Sequence, residues 1–196
     1  MGLDVSLVQF TNVDTEAILK FSQASSEPGA GVKLKTIARA LGLPESIIGA
    51  YYYGGTKISY PSKKHGAWPQ VGDWSSFAST RELIEHFTGK DFYFIFPEAE
   101  GNPEYLRPDW AASRKRLVDI LEQLQKLTLP SIEGFRAQFI TPNVPQNYLE
   151  KVPPSKLATT TQLVDSYVAQ VEVMIETLDY VLNHERPHEF LLRWSA

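Results

Sequence analysis

Two long segments with helical spacing of apolar residues constrain the fold of this 196-residue chain more than any other feature. The first runs from Pro108 to about Leu127, and the second runs from a Thr159 cap to about Asn183. The apolar face of the second helix is unusually wide and needs more than one neighbour. A protein partner or a homodimer is one way to cover it.

Strand patterns occur at both chain ends and in the middle. Leu3 to Phe10 and Phe190 to Trp194 have strand-like composition, and Asp91 to Phe96 is apolar on both faces, as in a central strand. Helices separate these strands in irregular order. The pattern favours an α+β fold in which a small mixed sheet packs against the two long helices.

Shorter helices and loops connect these segments. Asp14 or Thr15 can cap a first helix, and a capping box from Ser79 to Glu82 opens another helix that ends at Gly89. Loops are predicted over 25–31 and over 128–158, the latter with a short strand near 135–140.

Length and composition limit the functional classes. The length predicts one globular domain over 1–196, and the lack of cysteine excludes disulfides, thiolate metal sites and cysteine nucleophiles. The first residues lack the order of a signal peptide, and no apolar run has the length of a membrane span. A net charge of −4 gives no general attraction to nucleic acid. We therefore expect a cytoplasmic protein without membrane association, for which nucleic-acid binding is not favoured.

An aromatic and glycine-rich segment, about 51–77, has no clear periodicity and is predicted to be a long loop. Its positive residues are opposite in charge to the acidic residues that follow the predicted central strand, and if the two segments come together they would form a site for a flat polar ligand. The ligand-binding candidates are Tyr60, His65, Trp68, Trp74 and Arg107, and the catalytic candidates are Glu98, Glu100 and Asp109. The alternative is that the aromatic residues pack the loop onto the core, beside a solvated acidic loop.

The spacing over 34–53 is typical of a helix-turn-helix. Helices from Leu34 to Leu41 and from Pro44 to about Tyr53 are joined by a turn at Gly42. The second helix has no Arg, Lys, Asn or Gln, which are the side chains that read base edges in the major groove. Two core helices joined by a glycine turn are therefore the alternative to DNA binding.

His184-Glu185-Arg186-Pro187-His188 matches the H-E-x-x-H zinc motif, which requires both histidines on one turn of a continuous helix. Pro187 is incompatible with a regular helix at this point, so the segment is interpreted as a helix end. The glycine-rich residues 28–33 lack the preceding strand and the Gly-Lys-Ser/Thr end of a phosphate-binding loop. No metal and no cofactor are predicted.

The two chain ends resemble a set of uncharacterised bacterial and phage proteins. The likeness rests on Met1-Gly2-Leu3-Asp4 with its strand, on Ile175-Glu176-Thr177 and Tyr180-Val181-Leu182, and on Leu191-Leu192-Arg193-Trp194-Ser195. The resemblance implies a small cytosolic protein of bacterial or phage origin without assigned chemistry. It carries no functional residue over to this chain.

These observations favour a non-catalytic interaction or regulatory protein, because no catalytic constellation is recognised and the last helix has a wide apolar face. The second hypothesis is an enzyme or small-ligand-binding protein that uses the aromatic and acidic loops. It requires carboxylates that converge in a concave pocket with shifted proton affinities. Helix-turn-helix DNA binding through 34–53 is the third hypothesis.

Overall fold

The structure is a computed structural model that describes residues 4–26, 33–58, 60–62, 64, 66–71, 73–74, 77–127 and 160–195. The helices are α1 (Thr15–Ser25), α2 (Leu34–Ala40), α3 (Ser46–Tyr53), α4 (Phe77–Thr88), α5 (Phe92–Ile95), α6 (Trp110–Leu124) and α7 (Thr160–Leu182). The strands are β1 (Asp4–Gln9), β2 (Thr56–Lys57), β3 (Tyr60–Ser62), β4 (Gly66–Val71), β5 (Asp73–Trp74), β6 (Tyr105–Leu106) and β7 (Phe190–Ser195). Short 3-10 turns cover Pro97–Ala99 and Pro187–Glu189.

The main sheet has the order β2-β1-β7-β6, and β5 pairs with β1 on the same edge as β2. The two terminal strands pair along their whole length, from Asp4 opposite Ser195 to Gln9 opposite Phe190. The predicted α+β class and both terminal strands are confirmed. All described pairings are antiparallel, whereas the sequence predicts a mixed sheet, because strand composition does not encode strand direction.

Helices cover both faces of this sheet. Val5 and Leu7 of β1 belong to a core cluster with residues of α4, α6 and α7. Val8 points to the opposite face, where it joins a second cluster that contains Phe21 of α1 and Tyr51 of α3. This two-sided burial explains why the terminal strands have apolar residues at successive positions.

The predicted central strand over Asp91 to Phe96 is wrong, because this segment forms the short helix α5. The Asp91 side chain caps it by accepting the Phe94 N–H at 2.8 Å. Phe92, Ile95 and Phe96 are buried, whereas Tyr93 and Phe94 are exposed. The buried positions are three and four residues apart, so the apolar run has the period of a helix. The strand in the middle of the chain is instead β6.

The predicted loop over 51–77 is also wrong, because α3 continues to Tyr53, four short strands follow and α4 begins at Phe77. Gly55 lets this segment approach β1, since a Cβ at this position would lie 2.8 Å from Phe10 Cζ. The predicted capping box is wrong as well, because Ser79 lies inside the first turn of α4. Tyr60, Trp68 and Trp74 thus lie in strands, and Tyr51 to Tyr53 and Phe77 lie in helices, rather than in an open loop.

Both predicted long helices are confirmed as α6 and α7. The Asp109 side chain caps α6 by accepting the Ala112 N–H at 3.0 Å, whereas the Thr159 cap and the predicted features of 128–158 lie outside the described residues. The wide apolar face of α7 is buried between residues 171 and 181 against α6, α4 and β4. Among the described residues, no helix has the length and apolar character needed to cross a membrane.

We expect Leu178→Ala to lower the free energy of unfolding by about 2–5 kcal/mol, because it leaves a cavity where a fully buried side chain packed. The matched control is Leu182→Ala at the end of the same helix, where the side chain is 40% exposed and the loss should stay below about 1 kcal/mol. Urea denaturation followed by circular dichroism measures both values. Equal losses in the two variants would contradict the packing of α7 described above.

Candidate functional site

A cavity of about 760 Å³ opens beside the edge of the sheet that β6 forms. It is lined by Ser22, Ser25, Ser26, Tyr51, Arg81, Phe92, Tyr93, Asn102, Glu104 and Trp194. These residues come from α1, α3, α4, α5, β7 and the turn before β6. The volume lies within the range of small-molecule sites, and the lining combines hydroxyl, amide, charged and aromatic groups.

Glu104 is the centre of a polar network in the wall of this cavity. Its Oε1 accepts a hydrogen bond from Arg193 Nε at 2.9 Å and forms an ion pair with Arg193 Nη2 at 2.7 Å. Its Oε2 accepts the hydroxyl of Tyr51 at 2.8 Å, and its backbone oxygen accepts the Trp194 N–H at 2.7 Å. Both carboxylate oxygens therefore have donors, and the charge of Glu104 is balanced by Arg193.

Tyr51 is held in place from several sides. Its ring packs edge-on against Phe21 and Tyr105, each at a centroid distance of 5.1 Å. The hydroxyl of Tyr105 donates to the backbone oxygen of Tyr51 at 3.0 Å, and the Tyr105 N–H donates to Ser22 Oγ at 2.8 Å. These bonds join α1, α3 and β6, so the polar wall is preorganised.

The two buried phenols of this wall stay protonated at neutral pH. Burial raises the pKa of Tyr51 well above its ordinary value; the nearby hydroxyls of Ser22 and Ser25 lower it in part, and Glu104 raises it further. Burial also raises the pKa of Tyr105. Tyr51 therefore acts as a hydrogen-bond donor to Glu104. A wall of fixed donors and acceptors is suited to binding rather than to proton transfer near neutrality.

The opposite rim of the cavity is more exposed. The hydroxyl of Tyr93 donates to Asn102 Oδ1 at 3.2 Å. Asn102 has a positive φ of 53°, a region in which Asn is tolerated better than most residues, and it follows Gly101 with a φ of 85°. Phe92 and Trp194 form an aromatic pair with their centroids 4.1 Å apart. Together they give the cavity an aromatic side next to its polar wall.

A second cavity of about 280 Å³ lies on the other side of Arg193. It is lined by Ser6, Val8, Tyr52, Gly55, Lys57, Tyr105 and Arg193. The Arg193 guanidinium lies over the Tyr105 ring, 5.6 Å from its centroid. Arg193 thus lines this second cavity while it binds Glu104 in the wall of the larger one.

The predicted catalytic carboxylates do not meet in either cavity. Glu98 Oε1 accepts the backbone N–H of Asp109 at 3.0 Å, and Asp109 caps α6, so both carboxylates stabilise the start of that helix. Glu100 is exposed in the following turn. A catalytic role for these three residues stays a prediction to which their geometry adds no support.

Arg107, a predicted ligand-binding residue, has structural partners instead. Its Nη2 donates to Thr15 Oγ1 at 2.5 Å and to the His188 backbone oxygen at 2.8 Å, and its Nη1 pairs with Glu16. Its Nε is buried and has no hydrogen-bond partner in the described part of the chain. These contacts tie α1 to the turn before β7.

The other ligand-binding candidates are placed by the backbone alone. Tyr60 lies in β3 opposite Val71, Trp68 lies in β4, and Trp74 lies in β5 opposite Val5, whereas His65 lies outside the described residues. The sequence predicts an attraction between the positive residues of 51–77 and the acidic loop. In the structure Lys64 instead pairs with Glu172 of α7.

The two helices of the predicted helix-turn-helix are present as α2 and α3, and Gly42 has a φ of 67° in the turn between them. Lys35 and Arg39, which could contact phosphate, form surface ion pairs with Glu45. The geometry therefore supports the alternative of packed helices, since Ala38 and Ile47 are buried in the second cluster.

The H-E-x-x-H segment begins after α7 has ended at Leu182, so His184 and His188 do not share a helical turn. The His184 ring packs edge-on against Phe190 at 4.8 Å. Within the described ranges, no group of three or more His, Asp or Glu side chains could hold a metal ion.

None of the described residues that line the larger cavity is among the site residues that the sequence predicts. Glu104 belongs to the acidic loop in the sequence, but its partner Arg193 lies 89 positions away and Tyr51 lies 53 positions away. No local motif connects them. The sequence signal nearest to this site is an acidic residue, Glu104, directly before the apolar pair at 105–106. This pattern is too common in proteins to indicate a functional site.

Comparisons with protein-family models, with curated proteins and with solved structures find no match to this chain. The resemblance of its ends to uncharacterised bacterial and phage proteins stays a prediction.

We expect Tyr51→Phe to flatten the loss of stability at alkaline pH. In the folded protein the raised pKa of Tyr51 keeps the proton that the unfolded chain loses above about pH 10. The contribution of this pKa shift to stability is complete below that pH. As the pH rises further, the free energy of unfolding falls by up to about 1.4 kcal/mol per pH unit for one such group. Tyr105 keeps part of this slope in the variant.

Urea denaturation between about pH 8 and pH 11 measures this slope, which linkage ties to the number of protons released on unfolding. Tyr53→Phe is the matched control, because this tyrosine also lies on α3 but is 87% exposed. A slope in Tyr51→Phe as steep as in the wild type would show that the phenol is not held protonated.

Proposed function

We propose that this protein binds a small polar molecule in the larger cavity. The observation that carries the proposal is the fixed polar wall, in which Arg193 and Tyr51 saturate the carboxylate of Glu104 inside a cavity of about 760 Å³. Ligand sites combine preformed shape with a few oriented polar groups, and this wall supplies both. The aromatic pair of Phe92 and Trp194 adds an apolar surface for a carbon skeleton.

The energetics of the wall also favour a binding role. Glu104 and Arg193 are partly withdrawn from water, with side chains 30% and 41% exposed. Partly buried ion pairs contribute little net stability, because desolvation offsets much of their attraction. A function that uses oriented charges therefore explains the network better than a contribution to folding alone.

A regulatory role without catalysis is consistent with this proposal, since ligand binding is a common way to control a regulatory protein. A protein partner or homodimer stays a prediction, and within the described residues 171–181 the apolar face of α7 is buried inside the chain. Cytoplasmic location and bacterial or phage origin likewise stay predictions from the sequence.

The test is a thermal-shift panel of neutral sugars, sugar acids, amino acids, nucleosides and nucleotides. A compound at about a hundred times its dissociation constant adds roughly 2.7 kcal/mol to the stability of the folded state, which is a readily measured shift. We expect at least one class to stabilise the protein. Tyr93→Ala should weaken that effect, because Tyr93 lines the cavity and positions Asn102.

Tyr53→Ala is the matched control, because Tyr53 is an exposed tyrosine that is not among the cavity-lining residues. Ser26→Trp should remove the stabilisation altogether by filling the cavity from its α1 side. A panel without any stabilising compound, or a stabilisation that Ser26→Trp leaves intact, would argue against ligand binding in this cavity.

A further inference from the structure

Among the described residues, the charges that line the larger cavity do not balance. Arg81 and Glu104 are the two charged residues among the described residues that line it. Glu104 is neutralised by Arg193, which reaches it from outside the lining. Arg81 has no ion-pair partner in the described part of the chain. The described part of the lining therefore has an unpaired positive charge at Arg81.

Arg81 is held at this position by the packing of its helix. It lies on α4, and the residues that follow it by two and three positions, Leu83 and Ile84, are buried in the core cluster of the sheet. The backbone beneath Arg81 is thus fixed, while its side chain is exposed to solvent and to the cavity. A guanidinium presents a planar set of donors that matches a carboxylate or a phosphate.

The serine side of the cavity offers acceptors. Ser25 Oγ donates its proton to the Ser22 backbone oxygen at 3.1 Å, and Ser26 Oγ donates to the Gln23 backbone oxygen at 2.8 Å. A hydroxyl has one proton and two acceptor lone pairs, so both oxygens retain lone pairs for a ligand. The hydroxyls of a ligand can donate hydrogen bonds to these oxygens.

Asn102 complements Arg81 at the rim. Its Oδ1 is occupied by the hydroxyl of Tyr93, so its amide Nδ2 presents the donors that remain. The cavity thus has acceptors along α1, donors at Asn102 and an unbalanced cation on α4. A neutral apolar molecule would satisfy none of these groups.

Resting on the proposed function, we infer that the ligand is a small hydroxylated acid. Its carboxylate or phosphate pairs with Arg81, its hydroxyls donate to Ser25 and Ser26, and its carbon skeleton lies along Phe92 and Trp194. Sugar acids and sugar phosphates are the chemical class with this pattern. The same guanidinium serves both anions, and the experiment distinguishes them.

Isothermal titration calorimetry with three matched probes tests this inference: glucuronate, glucose 6-phosphate and glucose. We expect at least one acidic probe to bind at least about tenfold more tightly than glucose, because a charge-assisted pair with Arg81 is worth more than a neutral hydrogen bond. The acid that binds identifies the anion as a carboxylate or a phosphate. Its affinity should fall as the salt concentration rises.

Arg81→Gln should bring the affinity for that acid down to the affinity for glucose, and Arg81→Lys should restore part of it by keeping the charge without the planar fork. Arg39→Gln is the matched control, because Arg39 is an exposed helical arginine whose partner is Glu45 on the surface. Circular dichroism verifies that each variant is folded.

Equal affinities of the wild type for glucose and the acids, or full acid binding by Arg81→Gln, would overturn the assignment to Arg81 while leaving ligand binding in the cavity intact. Binding of none of the three probes would also overturn it. Ligand binding as such is judged separately, by the broader thermal-shift panel with Ser26→Trp.

Discussion

The antiparallel pairing of the two chain ends is the constraint on which the rest of this structure depends. β1 and β7 are joined over their whole length, and successive apolar residues on both strands allow helices to pack on either face. The site depends on the next pairing in the sheet, because β6 pairs with β7 and so places Arg193 and Trp194, near the end of β7, next to the turn that contains Glu104. The lining of the cavity thus combines residues as far apart in the sequence as Ser22 and Trp194.

Glu104 contacts residues that are distant in the sequence through both its backbone and its side chain. Its backbone continues the ladder to β7 through the Trp194 N–H, and its side chain joins Arg193 of β7 to Tyr51 of α3. Glu104 thus connects the sheet to α3, which packs in the second cluster on the face of the sheet opposite to α6 and α7. Because the carboxylate has donors on both oxygens, neither partner can rotate away without leaving a charged or polar group unsatisfied. The wall is rigid for this reason.

The sequence correctly predicts the elements in which apolar residues recur with a clear period. Its prediction is wrong where an apolar run contains residues that are exposed in the structure. The long helices and the terminal strands follow from apolar spacing alone. The Phe92 to Phe96 run was interpreted as a strand because five successive residues are aromatic or aliphatic, and only burial reveals that Tyr93 and Phe94 point outward. Three of the four strands after Tyr53 have only two or three residues, which is too short for a periodic signal. The candidate site depends on contacts between distant residues, which no single-sequence pattern encodes.

The two sides of the cavity differ in exposure, and this difference bears on how a ligand is selected. Tyr51 and Glu104 are fixed by buried contacts, so they define shape and lose little entropy when a ligand binds. Arg81 and Tyr93 are exposed side chains on helices that are themselves anchored in the core, so they can adjust to the ligand while their backbones stay in place. Ordering them costs entropy that only a strong contact offsets. A charge on the ligand opposite Arg81 supplies such a contact, and therefore the exposed rim rather than the rigid wall discriminates between acidic and neutral molecules.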